Sequence, residues 1–151
     1  MTLDDEKYMR RAIAAAKNNP DSPFGAVIVD RESGEIVAEA FNEGRRNPVR
    51  HGETAAIYDL AERDPGVDWG KLTLYTTADP CPMCAGAILW VGIPRVVIGT
   101  SAETLGRLGM LRTEIPIQEV VERSSFPNPE ITRGVLEAEC DALYEAAVGD
   151  G

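Results

Sequence analysis

The sequence predicts an α/β sandwich built on a mixed sheet. Two observations carry this: a strand–turn–strand pattern near the start, and strands alternating with helices after it. Both fit a chain of 151 residues with 44% hydrophobic and 26% charged content, read as a single domain over residues 1–151.

Asp4 or Asp5 can cap a first helix running to about Asn18, with Tyr8, Met9, Ala12, Ile13 and Ala16 on one face. Asn19-Pro20-Asp21-Ser22-Pro23 breaks it. Residues 26–30 are a short run rich in β-branched side chains; 31–34 is turn-like and 35–41 reads as the returning strand. A polar loop from Asn42 to Arg50 leads into a helix over about Gly52 to Arg63, stopped by Asp64-Pro65-Gly66.

Residues 72–77 form a third strand that runs into Asp79-Pro80-Cys81, and Pro82 suits the first turn of the next helix, expected over Met83–Trp90. Residues 95–100 are almost wholly apolar, as in a strand covered on both faces. Glu119-Val120-Val121 is a weaker candidate for a fifth strand. Ile131, Val135, Leu136, Cys140 and Leu143 mark an amphipathic C-terminal helix that Gly134 weakens or bends.

Bulk charge narrows the partners. Asp and Glu number 25 against 15 Lys and Arg, a net charge of −10. Phosphate contacts dominate nucleic-acid affinity, so this balance argues against a large nucleic-acid footprint. The N-terminal residues are acidic and lack the apolar core of a signal peptide, and no stretch approaches the ~20 apolar residues of a membrane span. Three cysteines, two of them in one C-x-x-C, make no disulfide framework. A cytoplasmic location is the expectation.

The single histidine sits in His51-Gly52-Glu53, ahead of Pro80-Cys81-Pro82-Met83-Cys84. One imidazole and two thiolates suit Zn²⁺ and leave a fourth tetrahedral position for water. Glu53, two residues from the histidine, is close enough to take a proton from that water. Both segments open helices, whose N-termini favour thiolates and developing negative charge.

A redox C-x-x-C explains the cysteines but not the neighbouring His-x-Glu. A closed structural zinc site needs a fourth ligand, and the remaining thiol, Cys140, lies far along the C-terminal helix, where a lone cysteine usually packs. Glu53 is the other candidate for that ligand.

The H-x-E…P-C-x-x-C pattern resembles the cytidine deaminase-like superfamily, in its nucleobase and tRNA-adenosine deaminase branch. His51-Gly52-Glu53, Leu74 to Thr77 and Pro80 to Ile88 carry the resemblance; the specific motifs cover about residues 41–100. It implies a three-layer α/β/α sandwich with a mixed five-stranded sheet, one zinc per subunit on His51, Cys81 and Cys84, and a homodimer. It also implies hydrolytic deamination: the metal acidifies water, Glu53 takes its proton, and the ring carbon bearing the amine is attacked. Asn42 matches a position used to hydrogen-bond the ring, although a turn asparagine closing a strand reads similarly. The backbone N–H groups of Gly52 and Cys81 would meet the base edge. Gly52, where many relatives have Ala, would leave room at the metal, and Phe24 and Trp90 are candidates to stack on or wall the ring. Asp79 stands where many relatives carry Glu; it would contact substrate or a group behind the substrate-contacting residues, or cap the helix it precedes.

Gly52, Tyr75-Thr76-Thr77 and residues 92–99 are similar to fungal-type cytosine deaminase. Cys81 to Cys84 with Ala87 to Trp90 resembles bacterial guanine deaminase. Together with the acidic composition, these favour a small free nucleobase, guanine or cytosine type, or a related triazine or modified base. A tRNA-specific adenosine deaminase and a non-catalytic zinc module are the alternatives. The C-terminal segment is expected to complete the pocket, with Phe126, Glu139, Asp141 and Tyr144 as candidates.

Overall fold

The computed structural model describes residues 3–149; positions 1, 2, 150 and 151 of the expected domain lie outside the described residues. Helix α1 (Asp5–Ala16) is capped by Asp4, whose carboxylate accepts from the Lys7 N–H. Strands β1 (Gly25–Asp30) and β2 (Ile36–Phe41) form the expected antiparallel hairpin, with a register shift between Ile28 and Val29. Then follow α2 (Gly52–Arg63), β3 (Leu72–Ala78), α3 (Pro82–Val91), β4 (Arg95–Thr100), α4 (Ala102–Arg107), α5 (Ile117–Glu122), β5 (Glu130–Arg133) and α6 (Glu137–Gly149).

The five strands lie in the order β2-β1-β3-β4-β5. β1 runs antiparallel to β2 and β3, while β3, β4 and β5 are mutually parallel, so the sheet is mixed. Alternation along the strands sorts side chains into two cores. Val27, Val29, Tyr75 and Val97 pack with Tyr8, Met9, Ala12 and Ile13 of α1 and Cys140 of α6. Ile28, Leu74, Val96 and Ile98 face the other way, onto Ala56 and Leu60 of α2, Ile88 of α3 and Ile117 of α5. The sheet is thus sandwiched between helices, and no described helix is long and apolar enough to cross a membrane.

Two expectations past residue 100 are corrected. Glu119-Val120-Val121 is not a strand but part of α5: Pro116 opens that turn, and Ile117 and Val121, four residues apart, are buried together on one side. The fifth strand is instead Glu130–Arg133, paired residue for residue with β4 from Arg95↔Glu130 to Ile98↔Arg133. Ile131 therefore belongs to the sheet, and the C-terminal helix begins only at Glu137. Gly134 does more than weaken it. With φ +79° at Gly134 and +51° at Leu136, the backbone turns out of β5 before α6 begins.

Candidate active site

The parallel strands deliver the site. β3 ends at Ala78, and Asp79-Pro80-Cys81 carry the chain from its C-terminal end into α3, the usual place for ligands in such sheets. Cys81 is the N-cap of α3 and Pro82 its first residue, so Cys84 falls one turn on, back beside Cys81. His51 is the N-cap of α2, its N–H donated to Thr54 Oγ1 at 3.0 Å. Two helix N-termini thereby converge on one point.

His51 Nδ1 lies 3.5 Å from Cys81 Sγ and 3.6 Å from Cys84 Sγ. A tetrahedral zinc with ordinary Zn–S and Zn–N lengths holds sulfur and nitrogen ligands about 3.6 Å apart. All three ligand atoms lie within 4.8 Å of one another, and among the described residues no fourth His, Cys, Asp or Glu joins them. The donor set fits zinc with one position open; Glu53 is not in it. Cys140 packs against β4 and lies outside it too.

In the metal-free chain the electrostatics already favour cation capture. A hydrogen bond from Cys84 and the nearby His51 outweigh burial and bring the Cys81 thiol down to about 4. Cys84, as the donor to that thiolate and in a buried position, is pushed up. His51 is raised by its contact with Cys81. A zinc ion would replace these protons, so binding releases them. Glu53 is 4% exposed, and burial, with the Cys81 charge adding to it, pushes its carboxyl up to about 7.

His51, Glu53 and Cys81 open onto a cavity of about 410 Å³, large enough for one heterocycle. Asn42 and Phe24 line it, and so does Asp79. Asn42 has its Oδ1 accepting from the Gly44 N–H at 2.7 Å and its Nδ2 directed to Ser22 Oγ at 3.3 Å, so it closes a turn and keeps one donor and one lone pair for a ligand. Phe24 leans on Tyr144, ring centres 4.9 Å apart.

Gly52 does not line the cavity. A Cβ there would meet the Phe24 carbonyl oxygen at 3.1 Å and the Gly25 carbonyl carbon at 3.3 Å. Its small size lets α2 approach β1 rather than making room at the metal.

Trp90 is likewise outside the cavity. It sits eight residues beyond Pro82, about 12 Å along α3 from the cysteine end. Its side chain is 78% exposed and packs edge-on against Phe126, ring centres 5.0 Å apart. Asp79 does not cap α3; its carboxylate accepts from the Ile117 N–H at 3.0 Å and pairs with Arg133 at 2.6 Å.

None of the four C-terminal candidates lines the cavity: Phe126 packs on Trp90, Glu139 lines a separate groove beside Ile13 and Lys17, and Tyr144 and Asp141 brace strand ends. The Tyr144 hydroxyl lies 2.7 Å from Thr77 Oγ1, and Asp141 accepts from Thr100 at 2.6 Å. What the sequence did not reveal is the opposite wall: Leu105 of α4 and the segment 109–113, together with Asp21 and Ser22. Gly109, at φ +72°, ends α4 and starts this segment, and no residue pattern there announces contact with a site.

An open N/S₂ metal site beside a buried carboxyl, at the helix N-termini of a mixed α/β sheet, defines a zinc-dependent hydrolytic centre. The model of the cytidine and deoxycytidylate deaminase zinc-binding region matches residues 2–100. The chain is 35% identical over 115 residues to a probable cytosine deaminase of Schizosaccharomyces pombe, covering 74% of this chain and 70% of that one. It is 34% identical over 148 residues to a tRNA-specific adenosine deaminase of Bacillus subtilis, covering 94% and 87%. The solved guanine deaminase of Nitrosomonas europaea shares the fold, with a TM-score of 0.81 at 21% identity over 99% of this chain and 87% of that one. The chain belongs to the cytidine and deoxycytidylate deaminase family and is a zinc-binding deaminase.

Proposed function

We propose that residues 1–151 act as one domain that hydrolytically deaminates a small free nucleobase of guanine or cytosine type. The observation that carries this reading is the cavity itself. It holds about 410 Å³ and is walled by Phe24, Leu105, Met110 and Leu111. Its polar lining includes Asp21, Glu53, Asn42 and Arg112, with Asp79 tied up by Arg133. A chamber of this size, walled by these apolar side chains, suits a single flat ring. The net charge of −10 disfavours a polyanionic substrate.

His51, Cys81 and Cys84 would hold the zinc, which when bound supplies Lewis acidity toward water. Glu53 takes the proton of the attacking water and returns protons to the ring nitrogen and the departing amine. The C–N bond breaks, a carbonyl forms, and ammonia leaves. Asn42 would orient the ring through its remaining donor and acceptor, and Phe24 would lie against it.

A homodimer and a cytoplasmic location belong to the same reading. In support of pairing, Val49, Tyr58 and Met83 expose apolar surface along one groove over α2 and α3. That surface would be covered by a second copy.

The test is ammonia release from zinc-loaded protein offered guanine, cytosine, adenine and the matching nucleosides. Turnover of a free base with little on its nucleoside supports the reading; nucleosides alone would overturn it. A second reading, deamination of adenosine in tRNA, is favoured by the similarity that spans 94% of the chain. Inosine formation in a tRNA transcript, with no base turned over, would establish that one instead.

A further inference from the structure

The geometry points to Asp79 as a positioning residue, whose carboxylate, clamped by Arg133, fixes the 109–113 wall of the cavity against the cysteine loop. Asp79 leads directly into Pro80-Cys81, yet both of its oxygens reach away from α3. One accepts from the Ile117 N–H at 3.0 Å in a buried contact, and the other holds Arg133 Nη1 of β5 at 2.6 Å. The Asp79 side chain is only 2% exposed.

Ile117 is the first residue of α5, and its N–H has no partner within the helix. Pro116, the N-cap, supplies no side-chain acceptor. Asp79 is therefore the cap of α5, across 38 residues of sequence. The residue so pinned stands just after the wall segment 109–113, whose other end leaves α4. Fixing Ile117 limits where Leu111 and Arg112 can sit.

A second cavity, of about 560 Å³, lies on the far side of this partition, where Arg133 is joined by Glu103 and Glu114. Asp79 and Leu111 line both cavities, whereas Arg133 lines only the outer one. The clamp thus holds a thin partition from outside. With both Asp79 oxygens engaged, it governs the shape of the chamber and not the proton transfers, which lie with Glu53. Loss of the clamp should weaken substrate binding and spare turnover.

The kinetic arm of the test rests on the deaminase reading above; a hydrogen-exchange arm stands without it. Zinc-loaded wild type, Arg133→Met, Arg133→Lys and Asp79→Asn are compared by amide exchange, zinc content, and kcat and KM on guanine and cytosine. In Arg133→Met, exchange at Ile117 and across 109–113 should rise about tenfold or more, since local opening follows lost anchoring contacts. KM should rise about tenfold with kcat within about threefold and one zinc retained, the pattern of lost binding rather than lost chemistry.

Arg133→Lys keeps a donor to the same oxygen and should recover most of the loss. Asp79→Asn keeps an acceptor for Ile117 without the charge, should fall between, and decides the matter if Arg133→Met does not fold. Unchanged exchange, an unchanged KM, or loss of zinc together with kcat would each overturn the assignment. If wild type turned over neither base, the base reading would fall and exchange alone would decide the clamp.

Discussion

Replacing Glu53 by Gln separates proton transfer from metal binding. The side chain is 4% exposed and shares its cavity with His51 and Cys81. Glutamine has nearly the same shape, so no void opens and the three ligand atoms stay in place. A positioned general acid–base group is worth about 10²–10⁴ in rate, or roughly 3–5 kcal/mol in the barrier. Glu53 is asked to move protons both before and after the carbon is attacked, so the loss in kcat should fall at or beyond the upper end of that range. The assay is steady-state ammonia release, read beside zinc content.

Stability should move the other way. In the metal-free wild type the Glu53 carboxyl is raised by burial to about 7, above its unfolded value. A raised acid contributes stability that is complete below the unfolded pKa and lost as pH climbs through the folded one. Relative to the Glu53→Gln variant, wild type should therefore lose about 3 kcal/mol of stability between about pH 4.5 and 7, at 1.36 kcal/mol per unit. The variant keeps the contributions of Cys81 and His51, which oppose each other, and lacks only this one. The reasoning is refuted if the variant with full zinc keeps activity within about tenfold of wild type. Loss of zinc in the variant would instead make Glu53 a fourth ligand and the site a closed one.

Three further outcomes are expected. Asp5 accepts two bonds from Arg95, at 2.9 and 2.8 Å, and one from the Tyr75 hydroxyl at 2.7 Å. Burial raises its carboxyl, but these bonds outweigh it and hold it below the usual range. Its contribution is present above the unfolded pKa and lost as pH falls through the folded one. Asp5→Asn should cost about 1–3 kcal/mol near pH 7 and progressively less in acid, by urea unfolding; a cost independent of pH contradicts this. Tyr144→Phe removes a buried 2.7 Å bond to Thr77 but keeps the ring against Phe24. It should lose about 1–2 kcal/mol in thermal unfolding and leave KM within about twofold; a large KM change would give the hydroxyl a place in the site. Gly25→Ala would bring a Cβ within 2.6 Å of the Ala16 nitrogen, backbone against backbone. It should destabilise by about 3 kcal/mol or more and loosen α1 from the sheet, seen as faster amide exchange in α1; near wild-type stability would show that α1 can shift freely.

Up to Thr100 the sequence is legible because local chemistry and tertiary fate agree. The α2 and β4 boundaries, Gly52–Arg63 and Arg95–Thr100, coincide with the pattern, since a proline or glycine stands near each and the apolar period matches the buried face. After Thr100 that agreement ends. Val120-Val121 carries strand propensity, yet burial against the α2/α3 face and a Pro116 start make it helix. Glu-Ile-Thr-Arg at 130–133 has only half-buried or exposed side chains, and β4 alone makes it a strand. An edge strand defined by its neighbour leaves little trace in its own residues.

The site divides along the same line. Its metal ligands are legible because zinc demands particular atoms, and helix N-caps place them at short, fixed spacings. The substrate wall is not, because 109–113 reaches the cavity through contacts made elsewhere: Gly109 turning the chain after α4, and Ile117 held by Asp79 from 38 residues away. Asp79 shows the difference within one residue. Its sequence neighbours suggest a cap on α3, and the nearest unsatisfied donor decides for α5 instead. A base-specific contact from this wall would be set by the same long-range geometry. That is why the motif defines the reaction, while the choice between guanine, cytosine and a tRNA adenosine depends on residues the motif does not contain.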